Sequence, residues 1–385
     1  MNIPESSITR RAALKAAGGA AAGIALAGTG LAAPALAAER RSAAPPWHAK
    51  LTTRQQAAQR VIFSYPGDTP PVSLLDGIAA GEVGGVIFFG ENITSLPQIA
   101  SVVAELRAAQ DHSPVREPLL FMTDQEGGYI RRLRGQEPIL SEKKIGLAPD
   151  PDAEATKAGA GAAAALREVG MNLNLAPVLD VFREAGDFDD QWERSYSSDP
   201  AVAGRLGAEF VRAQQDAGVA ATAKHFPGLG AAARSENTDL APVTLAQPLK
   251  ELRSIDESAF APAIAAGVDL VMTSWALYPA IDAVYPAGLS TAIVQGELRG
   301  RLGFDGVTIT DALEAGAIDA FGDSGQRAVL SAQAGMDLVL CSARDLSQGQ
   351  EALEALTVAL EQRTLNPGHA QQALARVRAL RGRLF

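Results

Sequence analysis

A single cysteine, Cys341, stands in the 385 residues, and histidines number only four. One thiol excludes an intramolecular disulfide and any cysteine-based zinc cluster, so stability has to come from the core. His48 and His112 lie in unrelated regions, and no metal-ligand grouping is visible. Basic charge is short too: 34 Lys and Arg face 44 Asp and Glu, a formal charge of −10. Arg131, Arg132 and Arg134 form a local cluster rather than a basic stripe, which makes a phosphate backbone a poor partner and argues against nucleic-acid binding. Repeats and long low-complexity tracts are missing beyond residue 50. A dinucleotide-binding loop is missing as well, because Gly81, Gly84 and Gly85 precede an apolar run instead of following one.

What is present is apolar. Hydrophobic residues make up 47% of the chain, enough for one large α/β domain or two smaller ones. At the start, Arg10-Arg11 precedes a run rich in Ala, Gly, Leu and Ile whose only charge is Lys15, and Ala35-Leu36-Ala37 has the small residues a signal peptidase accepts. Residues 1–38 therefore read as a twin-arginine export signal and 39–50 as a flexible mature N-terminus, with an uncleaved membrane anchor as the alternative. Removing Arg10, Arg11, Lys15 and Glu5 with the signal leaves a net charge of −12. The expectation is a secreted or cell-wall-associated protein with no stable membrane insertion after cleavage.

Eight apolar runs without polar alternation read as strands covered on both faces, at 60–64, 85–89, 119–123, 172–175, 221–224, 269–273, 307–310 and 337–340. Helix-like segments lie between them, at 96–110, 152–168, 202–217, 255–266, 291–299 and 324–334. Eight strand–helix units over residues 51–385 predict a single-domain (β/α)8 barrel, with an open doubly wound sheet as the competing fold. In a barrel all strand carboxyl ends share one mouth. Several of these runs end in polar residues: Asp124, Asp180, the pair Lys224-His225 and Asp311.

Asp311, at the end of Val307-Thr308-Ile309-Thr310, is a candidate nucleophile or base, or else the N-cap of the next helix. Asp124 leads into Gln125-Glu126-Gly127-Gly128, where a carboxylate can accept sugar hydroxyls, with Arg132 or Arg131 to pair with it and Glu126 as a hydrogen-bond partner. A Lys at the end of a buried strand needs a carboxylate or a polar ligand, and Lys224, His225 and Arg194 together can hold a polyhydroxylated ring. Trp275 and Tyr278 can stack on sugar faces or pack the barrel rim. Acids beside fixed donors are what glycosidic cleavage needs.

The ordered set Gly84-Gly85-Val86-Ile87-Phe88-Phe89, Asp124-Gln125-Glu126-Gly127-Gly128, Asn174-Leu175-Ala176-Pro177-Val178-Leu179-Asp180, Lys224-His225-Phe226-Pro227-Gly228 and Leu302-Gly303-Phe304-Asp305-Gly306-Val307 resembles glycoside hydrolase family 3, in its single-barrel β-N-acetylhexosaminidase branch. The resemblance implies a retaining mechanism with Asp311 as nucleophile, and Asp124, Arg132, Arg194, Lys224 and His225 as contacts to the terminal sugar. It implies an oligosaccharide substrate and no cofactor or metal. A monomer is expected. That branch carries a second His where Leu229 stands and a loop Asp-Ser-His whose His protonates the leaving group; here Arg234-Ser235-Glu236-Asn237-Thr238-Asp239 holds no imidazole. The proton donor is then expected to be Glu236 or Asp239, with Glu193 and Asp180 as further candidates. A β-glucosidase or β-xylosidase, and a glycan-binding barrel without turnover, are the rival functions.

Overall fold

The computed structural model describes residues 51–385; the expected export signal over 1–38 and the stretch 39–50 lie outside the described residues. Eight parallel strands form at the expected places: β1 Val61–Phe63, β2 Gly85–Ile87, β3 Leu120–Thr123, β4 Leu173–Asn174, β5 Thr222–Phe226, β6 Leu270–Thr273, β7 Val307–Ala312 and β8 Leu338–Leu340. Their order is β4-β3-β2-β1-β8-β7-β6-β5, each neighbour parallel. The remaining gap is bridged in parallel at Leu173–Ala220 and Val178–Lys224, where Asn174 N–H donates to the Ala220 carbonyl at 2.9 Å. The sheet is a closed (β/α)8 barrel, and the open-sheet alternative falls away.

The strands read as unbroken apolar runs because both faces are covered, yet each still alternates. Ile62, Leu120, Met122, Leu270, Met272, Ile309 and Leu338 point into the barrel, while Val61, Phe63, Val86, Phe121, Val271 and Val339 meet the surrounding helices. Helices Leu96–Gln110 and Ser324–Ala334 match their expected bounds. Segment 255–266 does not. It breaks into a π turn Leu252–Asp256, a 3-10 turn Glu257–Ala259 and a short α-helix Phe260–Ala265, because Pro262 has no N–H to give the Ser258 carbonyl. Ala292–Arg301 is likewise wound as a π-helix.

Two helices follow β8. Leu346–Glu361 is capped by Asp345 and packs on Ser324–Ala334. Pro367–Arg381 sends Val377 and Leu380 into the inward-facing strand core. There the buried Arg381 guanidinium donates to the Pro118 carbonyl at 2.6 Å and the Glu117 carbonyl at 2.8 Å, tying this helix to the segment that enters β3. Among the described residues no helix is long and apolar enough to cross a membrane.

Candidate active site

At the strand carboxyl ends the inward side chains Ile87, Leu175, Met272 and Leu340 stop, and above them opens a cavity of about 590 Å³. Its lining includes Asp124, Arg132, Arg194, Lys224, His225, Asp239 and Asp311, so the barrel mouth gathers residues from five separate stretches of the sequence.

Asp124 leaves the end of β3 and runs into a two-stranded hairpin, Gln125–Gly127 with Ile130–Arg131. Gly127 and Gly128 turn the hairpin at φ +127° and +53°, a region that disfavours side chains. The base is pinned by Asn174, whose amide accepts from Gln125 N–H at 2.9 Å and donates to the Gln125 carbonyl at 3.1 Å. Lys224, carried by β5 and 2% exposed, sets its ammonium 2.8 Å from Asp124 Oδ1 and 2.7 Å from Glu126 Oε1. Arg132 approaches the other oxygen of Asp124 at 3.6 Å. Burial opposes charge on Asp124, but Lys224 and then Arg132 overcome it and hold the carboxyl well below the usual range.

Arg194 follows the short turn Asp190–Trp192. It forks onto Glu126 with two bonds of 2.9 Å and reaches Asp189 at 2.6 Å. Burial works against both charges in the Glu126–Arg194 pair; their mutual attraction wins, lowering the Glu126 pKa and raising that of Arg194. His225 Nδ1 lies 2.7 Å from Asp180 Oδ2, and Asp180 also accepts from Leu229 N–H at 2.6 Å. Against the opposing effect of burial, the Asp180 carboxylate raises the imidazole pKa and leaves Nε2 toward the cavity side, 3.5 Å from Arg194. Asp180, Asp189 and His225 bring one ligand atom each within 4.8 Å of one another, and the cation among them is the Arg194 guanidinium.

Asp311 extends β7 and lines the same cavity as Lys224 and His225. One carboxylate oxygen accepts from Ala312 N–H at 2.8 Å. The helix-cap alternative fails, because the next turn, Gly316–Phe321, is entered through Ala315 and helix Ser324–Ala334 is capped by Asp323. At the same cavity Asp239, exposed as a residue at the rim, has its pKa pushed up to about 6, first by partial desolvation of its carboxyl and then by the charge of Asp311.

Several expectations are corrected. Glu236 does not line the cavity: its carboxylate turns back to accept from Ala233 N–H at 2.7 Å. Glu193 is taken up by Ser141 at 2.7 Å and Lys144 at 3.0 Å, and Asp180 is committed to His225. Trp275 is 1% exposed, with its indole N–H donating to the Ala312 carbonyl at 2.7 Å, and Tyr278 is fully buried with its hydroxyl on the Gly228 carbonyl at 2.9 Å. Neither ring has a face free for a sugar. The aromatic groups at the cavity are instead Phe89, Phe188 and the half-exposed Trp192. Glu314, three residues past Asp311, also lines it and is held by Ser342 Oγ–H at 2.8 Å; its spacing from Asp311 was the available sequence signal.

The pattern that defines the glycosyl hydrolase family 3 N-terminal domain matches residues 72–380. The chain belongs to glycosyl hydrolase family 3. As a family 3 glycoside hydrolase it acts on O-glycosyl bonds. It is 46% identical over 331 residues to a protein of Arthroderma benhamiae called an uncharacterized secreted glycosyl hydrolase, covering 86% of this chain and 93% of that one. It is 36% identical over 277 residues to a beta-hexosaminidase of Pseudomonas aeruginosa, covering 71% and 79%. Among solved family 3 structures, the beta-N-acetylglucosaminidase of Paenibacillus sp. str. FPU-7 superposes with a TM-score of 0.81 at 37% identity; the match takes in 86% of this chain but only 62% of that longer one. The beta-N-acetylhexosaminidase of Beutenbergia cavernae gives 0.78 at 34% identity, covering 87% and 99%.

Proposed function

We propose that this hydrolase is a retaining exo-β-N-acetylhexosaminidase that removes terminal β-linked N-acetylglucosamine from soluble glycans or cell-wall fragments. The observation that carries the reading is the placement of Asp311 and Asp239 in one cavity with the fixed donors Lys224, His225, Arg194 and Arg132. Those donors and Asp124 hold the sugar hydroxyls. Asp311 attacks the anomeric carbon, the C1–O bond breaks, and the Asp239 proton passes to the departing oxygen. In the second half, Asp239 takes a proton from water as the water oxygen attacks C1 and frees Asp311, so the anomeric configuration is retained. The N-acetyl preference is supported by the beta-hexosaminidase and beta-N-acetylglucosaminidase relatives. Secretion is supported by the secreted relative, and the twin-arginine route rests on Arg10-Arg11 alone.

The test is an aryl-glycoside panel of N-acetylglucosaminide, glucoside and xyloside, with Asp311→Ala as control. The N-acetylglucosaminide should be the preferred substrate. Preferred cleavage of the glucoside or xyloside would refute the substrate assignment, and a wild type as inert as the variant while sugar still binds would establish a glycan-binding barrel.

A further inference from the structure

The segment that bears Asp239 is fastened to the segment that leaves Asp311. Gly316 N–H donates to the Asp239 carbonyl at 2.9 Å, and Ala317 N–H donates to the Thr238 carbonyl at 3.0 Å. A Cβ on Gly316 would lie 2.5 Å from the Leu240 carbonyl oxygen and 2.7 Å from its carbon. Those are backbone atoms, unable to swing aside as a flexible side chain could. Both segments are themselves anchored. Trp275 holds the Ala312 carbonyl at 2.7 Å, Leu313 N–H donates to the Leu340 carbonyl at 3.0 Å, and beyond the acid Leu277 N–H donates to the Val243 carbonyl at 2.9 Å. The side chain of Thr238 is packed away with the residue 3% exposed.

We propose that Gly316 is a positioning residue: by presenting backbone alone, it lets the two segments dock and sets the Asp239 carboxyl in register with Asp311 across the scissile bond. The inference rests on the reading of Asp239 as the proton donor. Both reacting carboxyls then belong to one frame hung from β7, and the acid is in place before substrate arrives. A methyl group at 316 drives the frame apart by a fraction of an ångström to an ångström, a misplacement that costs up to about 100-fold in rate.

The test compares an N-acetylglucosamine disaccharide, whose leaving oxygen needs a proton, with a dinitrophenyl N-acetylglucosaminide, whose leaving group needs little. Gly316→Ala is expected to lower kcat/KM on the disaccharide roughly 10- to 100-fold and to leave kcat/KM on the dinitrophenyl substrate, which reports only formation of the glycosyl intermediate, within about threefold. Its pH profile on the disaccharide should move the descending limb from near pH 6 toward lower pH, because the displaced Asp239 carboxyl regains water and is drawn away from Asp311 and Glu314, while His225 and Arg194 already favour its ionised form. Ala317→Pro removes the second hydrogen bond at a position where a turn tolerates proline, and it should show the same selectivity in weaker form, which keeps the inference testable if Gly316→Ala folds poorly. Gly296→Ala, where a Cβ meets nothing within 4 Å, is the control and should match the wild type. Equal losses on both substrates, or no loss on either, would overturn the positioning role. Asp239→Asn separates the two claims: if it is selective for the disaccharide and the Gly316 and Ala317 variants are not, only the clamp is wrong. If Asp239→Asn shows no selectivity, the donor assignment and the clamp fall together.

Discussion

The two walls of the cavity are built on opposite principles. On the β3–β5 side every charge meets a countercharge: Lys224 sits between Asp124 and Glu126, Arg194 between Glu126 and Asp189, and His225 against Asp180. On the β7 side stand three carboxyls, Asp311, Asp239 and Glu314, with no ion pair to a Lys, Arg or His among the described residues. Pairing fixes geometry, since each buried ion has lost its water and keeps its place only by its partner. In the proposed reaction, leaving carboxyls without cations does the reverse: Asp311 is the group to attack and Asp239 the group to hold a proton. One wall is held by paired charges, and the other leaves its carboxyls unpaired; the proposed function assigns binding to the first and reaction to the second.

Breaking the reactive wall should produce the largest effect. Asp311→Ala is expected to lower kcat on the aryl N-acetylglucosaminide by about 10⁴-fold or more while the fold persists, measured by steady-state hydrolysis beside thermal unfolding. A variant retaining a tenth of the activity would show that another group attacks the sugar. Breaking the paired wall should instead damage the fold. Lys224→Met removes the cation that Asp124 and Glu126 share and leaves each with one arginine, so up to about 3 kcal/mol of unfolding free energy should disappear in urea titrations, along with sugar binding. A variant with weakened binding but unchanged stability would mean that these ion pairs do not hold the wall together.

The intermediate effect concerns the proton. With the Asp239 pKa at about 6, the acid is charged above that pH and protonated below it. The kcat/KM for the disaccharide should therefore fall as pH rises through about 6, while the dinitrophenyl substrate shows no such limb. Asp239→Asn is expected to cost about 10²- to 10³-fold in kcat/KM on the disaccharide with little change in kcat/KM on the dinitrophenyl substrate, whose kcat instead falls because the water has lost its base. A limb of equal size on both substrates would point to a group other than the leaving-group acid.

The same contrast explains what could be read from the chain. The eight strands were legible because a strand buried on both faces is written as a short, bounded apolar run, and Val307-Thr308-Ile309-Thr310 or Leu338-Val339-Leu340 has few other readings. The polar strand ends were legible for the same reason: once the barrel closes, Asp124, Lys224, His225 and Asp311 have one mouth to face. Partners drawn from loops were not legible. Glu126 could be named as a hydrogen-bond partner, but its fork with Arg194 depends on the turn Asp190–Trp192, which carries no periodic signal. Trp275 is ambiguous in the sequence because an aromatic just past a strand end can turn either way, and its indole N–H meets the Ala312 carbonyl. Glu236 and Asp239 are indistinguishable as letters. What separates them is the Ala233 N–H that captures Glu236, whereas Asp239, docked through its carbonyl on Gly316, lines the cavity.

The smallest expected effect is on stability, and it tests whether the unpaired wall carries a cost. Raising the Asp239 pKa from 3.8 to about 6 means that the folded chain holds this proton more tightly than the unfolded chain does. The group's stabilising contribution is then fully present below about pH 4 and is lost as pH rises through about 6, where the ionised carboxylate is forced to face Asp311. Asn at 239 carries no charge at any pH. Asp239→Asn should accordingly melt about 1–2 °C higher than the wild type at pH 7.5, with the difference closing toward pH 4. The same variant that loses disaccharide turnover would thus gain stability, the signature of a carboxyl kept where its charge is unwelcome. A variant less stable than wild type at pH 7.5 would show that Asp239 is held by attractive contacts, and the contrast between the two walls would dissolve.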